Sequence, residues 1–179
     1  MQYLKSRLPS IDAILPVLAM VSFLVYGWTL VVFLWKIPSW IQSLTTGEIL
    51  VVLAYSMSSS LLESLSVIGI FLLVCLLLPV RWMRDVFVTR GTIAAIFGLG
   101  SIMLYMYRFS LFGYSYLAYL TGWSIAGLVI TLLFTFLSTH FQPIIRAAAW
   151  ISDRTIVFLF LFVPVSLVSL LVVIYRNLF

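Results

Sequence analysis

The 179-residue sequence predicts an all-α integral membrane protein, a bundle of about five transmembrane helices with short interfacial helices. Three observations carry that prediction. The chain is 64% hydrophobic, 16% aromatic and only 8% charged, with a mean hydropathy of +1.24, whereas a soluble domain is about 45–50% apolar and about 25% charged. Its apolar residues gather into about five runs approaching or exceeding the ~20 residues that cross a ~30 Å hydrocarbon core. Its basic residues fall between those runs, denser at every second gap. Ten basic and five acidic side chains cannot cover a globule of this size in water. A soluble enzyme, a disordered tail and a groove-reading nucleic-acid binder are thereby excluded, and residues 1–179 read as one transmembrane helical domain.

The first span is placed at 13–35. Its apolar run, Ile11 to Trp35, exceeds the ~7–15 residues of a secretory h-region, and no small-residue cleavage site follows, so it reads as a retained signal anchor. Pro16 is placed near the start, where a missing N–H costs least. Trp28, Trp35 and Trp40 mark the headgroup level around Lys36. After Pro38, the spacing of Ile37, Trp40, Ile41 and Leu44 suits a short helix lying in the interface.

The second span, 46–79, opens on Thr45 and Glu48, a Thr-x-x-Glu capping box, with Leu44 and Ile49 as its hydrophobic staple. As one helix it is about 51 Å long at ~1.5 Å per residue. It therefore either tilts strongly or breaks, with Ser58-Ser59-Ser60 the place for a break. The third span, 92–107, is short and is expected to start nearer Val86. An aromatic loop is expected over Phe109–Tyr119, and a fourth span over 120–139. The stretch Gln142–Arg154 is either a surface helix or an extension of the fifth span, 155–175, in which Pro164 should free the carbonyl of Phe160.

With the N-terminus cytoplasmic, Lys5, Arg7, Arg81, Arg84, Arg90, Arg146 and Arg154 fall inside, and Lys36, Arg108 and Arg176 outside. Five crossings and the positive-inside rule then agree, and the C-terminus lies on the opposite side. Cys75 is the one cysteine, which leaves no intrachain disulfide and no Cys-based metal cluster.

The richest polar constellation lies in the second span. At helical spacing Ser56, Ser59, Ser60, Glu63 and Ser66 share one face, extended by Gly69, with Met57, Leu61, Leu65 and Ile68 opposite. A carboxylate in hydrocarbon is costly, about 2.5–3.5 kcal/mol on insertion scales for the related Asp, so Glu63 should face protein or water. It reads first as part of a serine-lined helix contact, then as a proton, cation or polar-ligand site. If the helix breaks at the serines, Glu63 sits near the headgroups. No other span carries an acid, Lys or Arg at its centre to pair with it.

Small residues at i, i+4, Ala94 with Gly98 and Gly122 with Ala126, are candidate helix-packing positions. Arg81, Arg84 and Arg90 are candidates for docking anionic lipid or an acidic partner, with membrane orientation as their simpler role. His140, the one histidine, stands at the end of the fourth span and reads as an interfacial residue. Gly98-Leu99-Gly100 lacks a dinucleotide loop's third glycine, and Gly113-Tyr114-Ser115-Tyr116-Leu117 misses the nucleophile elbow by its last residue. No catalytic, metal or cofactor-binding residues emerge and no cofactor is implied. The expected partners are the lipid bilayer and either other membrane subunits or further copies of the chain, with no nucleic acid. The leading functional reading is a non-enzymatic accessory or scaffold subunit of a membrane complex. The second is a transporter or channel component using Glu63, and the third a lipid-modifying enzyme.

Overall fold

The computed structural model describes residues 7–84, 86–112 and 116–178, without the side chains of residues 81, 110–112 and 116–118. Its elements are α1 (Ile11–Trp40), α2 (Thr46–Leu77), α3 (Val80–Met83), α4 (Phe87–Phe112), α5 (Tyr116–Leu137), a 3-10 turn (Ser138–His140) and α6 (Gln142–Leu178). No strand occurs among the described residues. Five of these helices are long and apolar enough to cross a membrane.

α1 is the hub, packing against α2, α4 and α6. Contact on three sides explains why its buried residues, Pro16, Val17, Ala19, Met20, Val21, Ser22, Val25 and Tyr26 among them, form no single stripe. The core follows its axis in three clusters. Val17 packs with Ile68, Cys75, Met83 and Phe87, Val21 and Val25 with Ala95, and Tyr26 with Met57 and Phe162. α5 is peripheral: 11% of its most apolar window is buried against 39% for α1, and α4 is its principal neighbour.

The interior combines a few large apolar side chains, Tyr26 and Phe87 among them, with many small hydroxylated ones, and many other large apolar side chains point outward. Every buried polar residue among those described is Ser or Thr. Ser58, Ser60 and Ser64 each donate to the carbonyl four residues back, at 2.8–3.0 Å, so their hydroxyl protons are spent within α2. α6 buries Ala148, Ser152, Thr155, Phe162, Ser166 and Ser169, a stripe at three- and four-residue spacing. Phe160, Leu171 and, on α5, Ile125 are 78%, 67% and 65% exposed. Small residues along a stripe such as that of α6 let helix backbones approach closely.

Several sequence expectations need correction. α1 does not stop for a separate interfacial helix: it runs through Pro38 to Trp40, and Ile41–Leu44 form its closing turn. One missing N–H donor near a helix end does not outweigh continuation, since Ile41 N still donates to Ile37 O at 3.0 Å. Pro16 lies inside the helix, because α1 begins at Ile11, and deletes the bond to Asp12 O. α2 is unbroken at Ser58-Ser59-Ser60, where Ser58 and Ser60 turn their hydroxyls onto carbonyls of the preceding turn and leave the backbone ladder intact. It opens on the Thr45–Glu48 capping box and ends where Leu78 turns extended before Pro79. α4 begins at Phe87 and continues through Phe109 to Phe112, and α5 starts at Tyr116, so most of the expected aromatic loop is helical; residues 113–115 lie outside those described. Phe109 reaches Tyr105, Tyr119 and Trp123, with centroids 4.5, 5.6 and 6.2 Å away, fastening the two helix ends together. Gln142–Arg154 is the extension of α6, which passes Pro164 as one 37-residue helix.

Candidate functional site

The polar face expected on α2 is divided by the fold. Ser60 is buried and its Oγ lies 2.8 Å from Thr29 Oγ1, joining α2 to α1. Ser56 is half-buried and donates to Val52 O at 2.9 Å. Ser59, Glu63 and Ser66 face outward. Ser66 donates to Leu62 O at 2.7 Å, and Ser59 Oγ donates to Glu63 Oε1 at 3.0 Å. That bond is the one polar contact of Glu63 among the described residues, and no side chain from another helix meets its carboxylate there. Of the opposite face, Met57 and Ile68 are buried, and Leu65 is 49% exposed.

Glu63 is central to its helix. It lies about 26 Å from Thr46 and about 21 Å from Leu77 at ~1.5 Å per residue. Leu62, Leu65 and Ile70 around it are 60%, 49% and 57% exposed. The result is one carboxylate with two serines on an otherwise aliphatic outer surface.

Of the two packing pairs, Ala94 with Gly98 lies where α4 meets α5, and Gly122 with Ala126 does not. Gly122 and Ala126 are exposed, and a Cβ at Gly122 would meet nothing within 4 Å. α5 instead turns Trp123, Gly127 and Thr131 toward α4: Trp123 Nε1 donates to Ser101 O at 3.0 Å, a Cβ at Gly127 would collide with Ser101 Oγ, and Gly98 faces Thr131. The closest backbone approach on α4 is Gly91, where a Cβ would come within 2.9 Å of Val17 Cγ1. Ala94 and Gly98 line a cleft between α4 and α5.

Arg90 is a fastener rather than a docking residue. Its Nη1 donates to Trp82 O, its Nη2 donates to Thr139 Oγ1 at 3.2 Å, and its guanidinium lies 4.9 Å from the Phe136 ring centroid. It thereby binds α3 to the end of α5. Arg84 is exposed, and the side chain of Arg81 lies outside those described. His140 is exposed, with Nδ1 3.5 Å from Thr139 Oγ1. No group of three or more His, Cys, Asp or Glu that could hold a metal occurs among the described residues.

The most informative contacts that the sequence reading missed join α1 to α6. Tyr26 Oη and Ser166 Oγ lie 2.6 Å apart, and Tyr26 stacks on Phe162. The available signal was the run of Ala, Ser and Thr at three- and four-residue spacing along α6. No protein-family model matches the chain, and no curated protein or solved structure shows significant similarity to it.

Proposed function

We propose that this chain is a five-span membrane protein, N-terminus cytoplasmic and C-terminus opposite, that serves as a non-catalytic accessory subunit. The observation that carries this reading is Glu63, outward at the middle of a 32-residue apolar helix with Ser59 as its partner. A carboxylate left against hydrocarbon is costly. A neighbouring membrane chain that brings a basic or hydrogen-bond-donating side chain to it removes that cost. A second copy whose two-fold axis ran beside Glu63 would bring carboxylate to carboxylate, whereas a different chain can supply a complementary charge. The transport reading asked for a polar partner from another helix beside Glu63, and none stands there among the described residues.

In this orientation Arg84, Arg146 and Arg154 are exposed at the cytoplasmic end, placed for anionic headgroups. The test is the mass of the particle extracted in mild detergent from its native membrane. A complex of this chain with a second membrane polypeptide at fixed stoichiometry is expected. A particle containing this chain alone, or only copies of it, overturns the proposal.

A further inference from the structure

The cleft between α4 and α5 has a volume of about 460 Å³, with Val67 and Phe71 of α2 at its edge. It follows α4 from Ala94 to Met106 and α5 from Leu120 to Leu132, about 18 Å at ~1.5 Å per residue. That length is comparable to one leaflet, half of a ~30 Å hydrocarbon core. A membrane-spanning helix is ~30 Å long and ~10 Å across, longer than the ~18 Å over which the cleft runs. Size therefore selects a single hydrocarbon chain over a partner helix.

The lining chemistry agrees. Trp123 Nε1 is taken by Ser101 O and Thr131 Oγ1 by Gly127 O, so these polar atoms are spent on backbone inside the protein. Bound water would need two to four polar partners. The aromatic residues Tyr105 and Trp123 stand toward the end where α4 and α5 connect, the place of an interfacial belt. The opposite end carries Ala94, Gly98, Leu128 and Leu132 beside Phe71 and Thr131.

We propose that the cleft holds one acyl chain of a bilayer phospholipid, entering from the surface at the α4–α5 connection. The inference rests on the membrane reading above. Its test is native mass spectrometry of the full chain reconstituted in vesicles of phosphatidylcholine and then extracted in detergent. One phospholipid is expected to stay with each chain, and Gly98→Leu and Ser124→Leu, which fill the cleft, should lower that retention at least fivefold. Gly122→Leu adds comparable bulk on the outer side of α5 and should retain the lipid. Equal retention in the cleft-filling variants, or none in the parent chain, overturns the proposal. Should Gly98→Leu lose its helical circular dichroism, Ser124→Leu, at an exposed position, decides alone. Failure of the parent chain to enter vesicles overturns the membrane reading and this inference together, an outcome distinct from insertion without retained lipid.

Discussion

Tyr26 Oη of α1 and Ser166 Oγ of α6 lie 2.6 Å apart, with the two residues 1% and 0% exposed. The Tyr26 ring stacks on Phe162 with centroids 4.6 Å apart. One side chain therefore supplies both an interhelical hydrogen bond and an aromatic contact. Hydrogen bonds between membrane helices average only about 0.6 kcal/mol, whereas truncating a buried aromatic costs about 3–5 kcal/mol. Tyr26→Phe should be mildly destabilising and Tyr26→Ala severely so, read from unfolding in mixed micelles. Equal losses would place the stability in the hydroxyl and contradict the packing account.

Gly91 lies against Val17, the most tightly enclosed meeting of α4 and α1. A Cβ there would sit 2.9 Å from Val17 Cγ1, and overpacking of this kind costs about 1–3 kcal/mol. Gly91→Ala should lower stability, and Val17→Ala in the same chain should restore part of it by vacating the space. Additive losses in the double variant would show that the two residues do not share that contact.

Arg90 ties α3 to the 3-10 turn through Trp82 O and Thr139 Oγ1. Arg90→Ala should speed amide hydrogen exchange in residues 80–90 and 136–141 and leave the core of α1 protected. Arg90→Lys should restore little, since a single ammonium replaces a planar fork. Uniformly faster exchange across the chain would instead make Arg90 part of the global core.

The distribution of basic residues, seven against three, predicts a cytoplasmic N-terminus. A phosphatase reporter fused after Phe179 should be active, and a cytoplasm-dependent fluorescent reporter at the same site dark. The reverse pattern would require an even number of crossings or the opposite orientation.

Features set by neighbours in sequence were readable from it, and those set by distant contacts were not. The capping box needs only Thr45 and Glu48, three residues apart, and both of its bonds form. The five long apolar helices follow from hydropathy alone, but their ends do not, since α1, α4 and α6 each run beyond the expected spans. Facing does not, because in an apolar helix the outward and inward arcs have similar hydropathy. Gly122 and Ala126 matched the packing spacing as well as Gly127 does, yet only Gly127 meets Ser101. Pro38 does not bound α1 as its sequence position suggested; like Pro16 and Pro164 it lies inside a helix, where each removes one bond and the flanking turns hold. Glu63 was identifiable from its charge, but its outward direction depends on which arc of α2 meets α1 and α6.

That direction is the centre of the account. The most direct measurement compares the amount of partner polypeptide retained in mild detergent by the parent chain, Glu63→Leu and Leu62→Ala. Leu62 is exposed beside Glu63 and controls for a change of shape on the same surface. Glu63→Leu should lose at least tenfold of the partner while the chain's own helical content and unfolding midpoint hold or rise, and Leu62→Ala should keep most of it. Undiminished partner in Glu63→Leu would contradict the claim that this carboxylate is the docking contact.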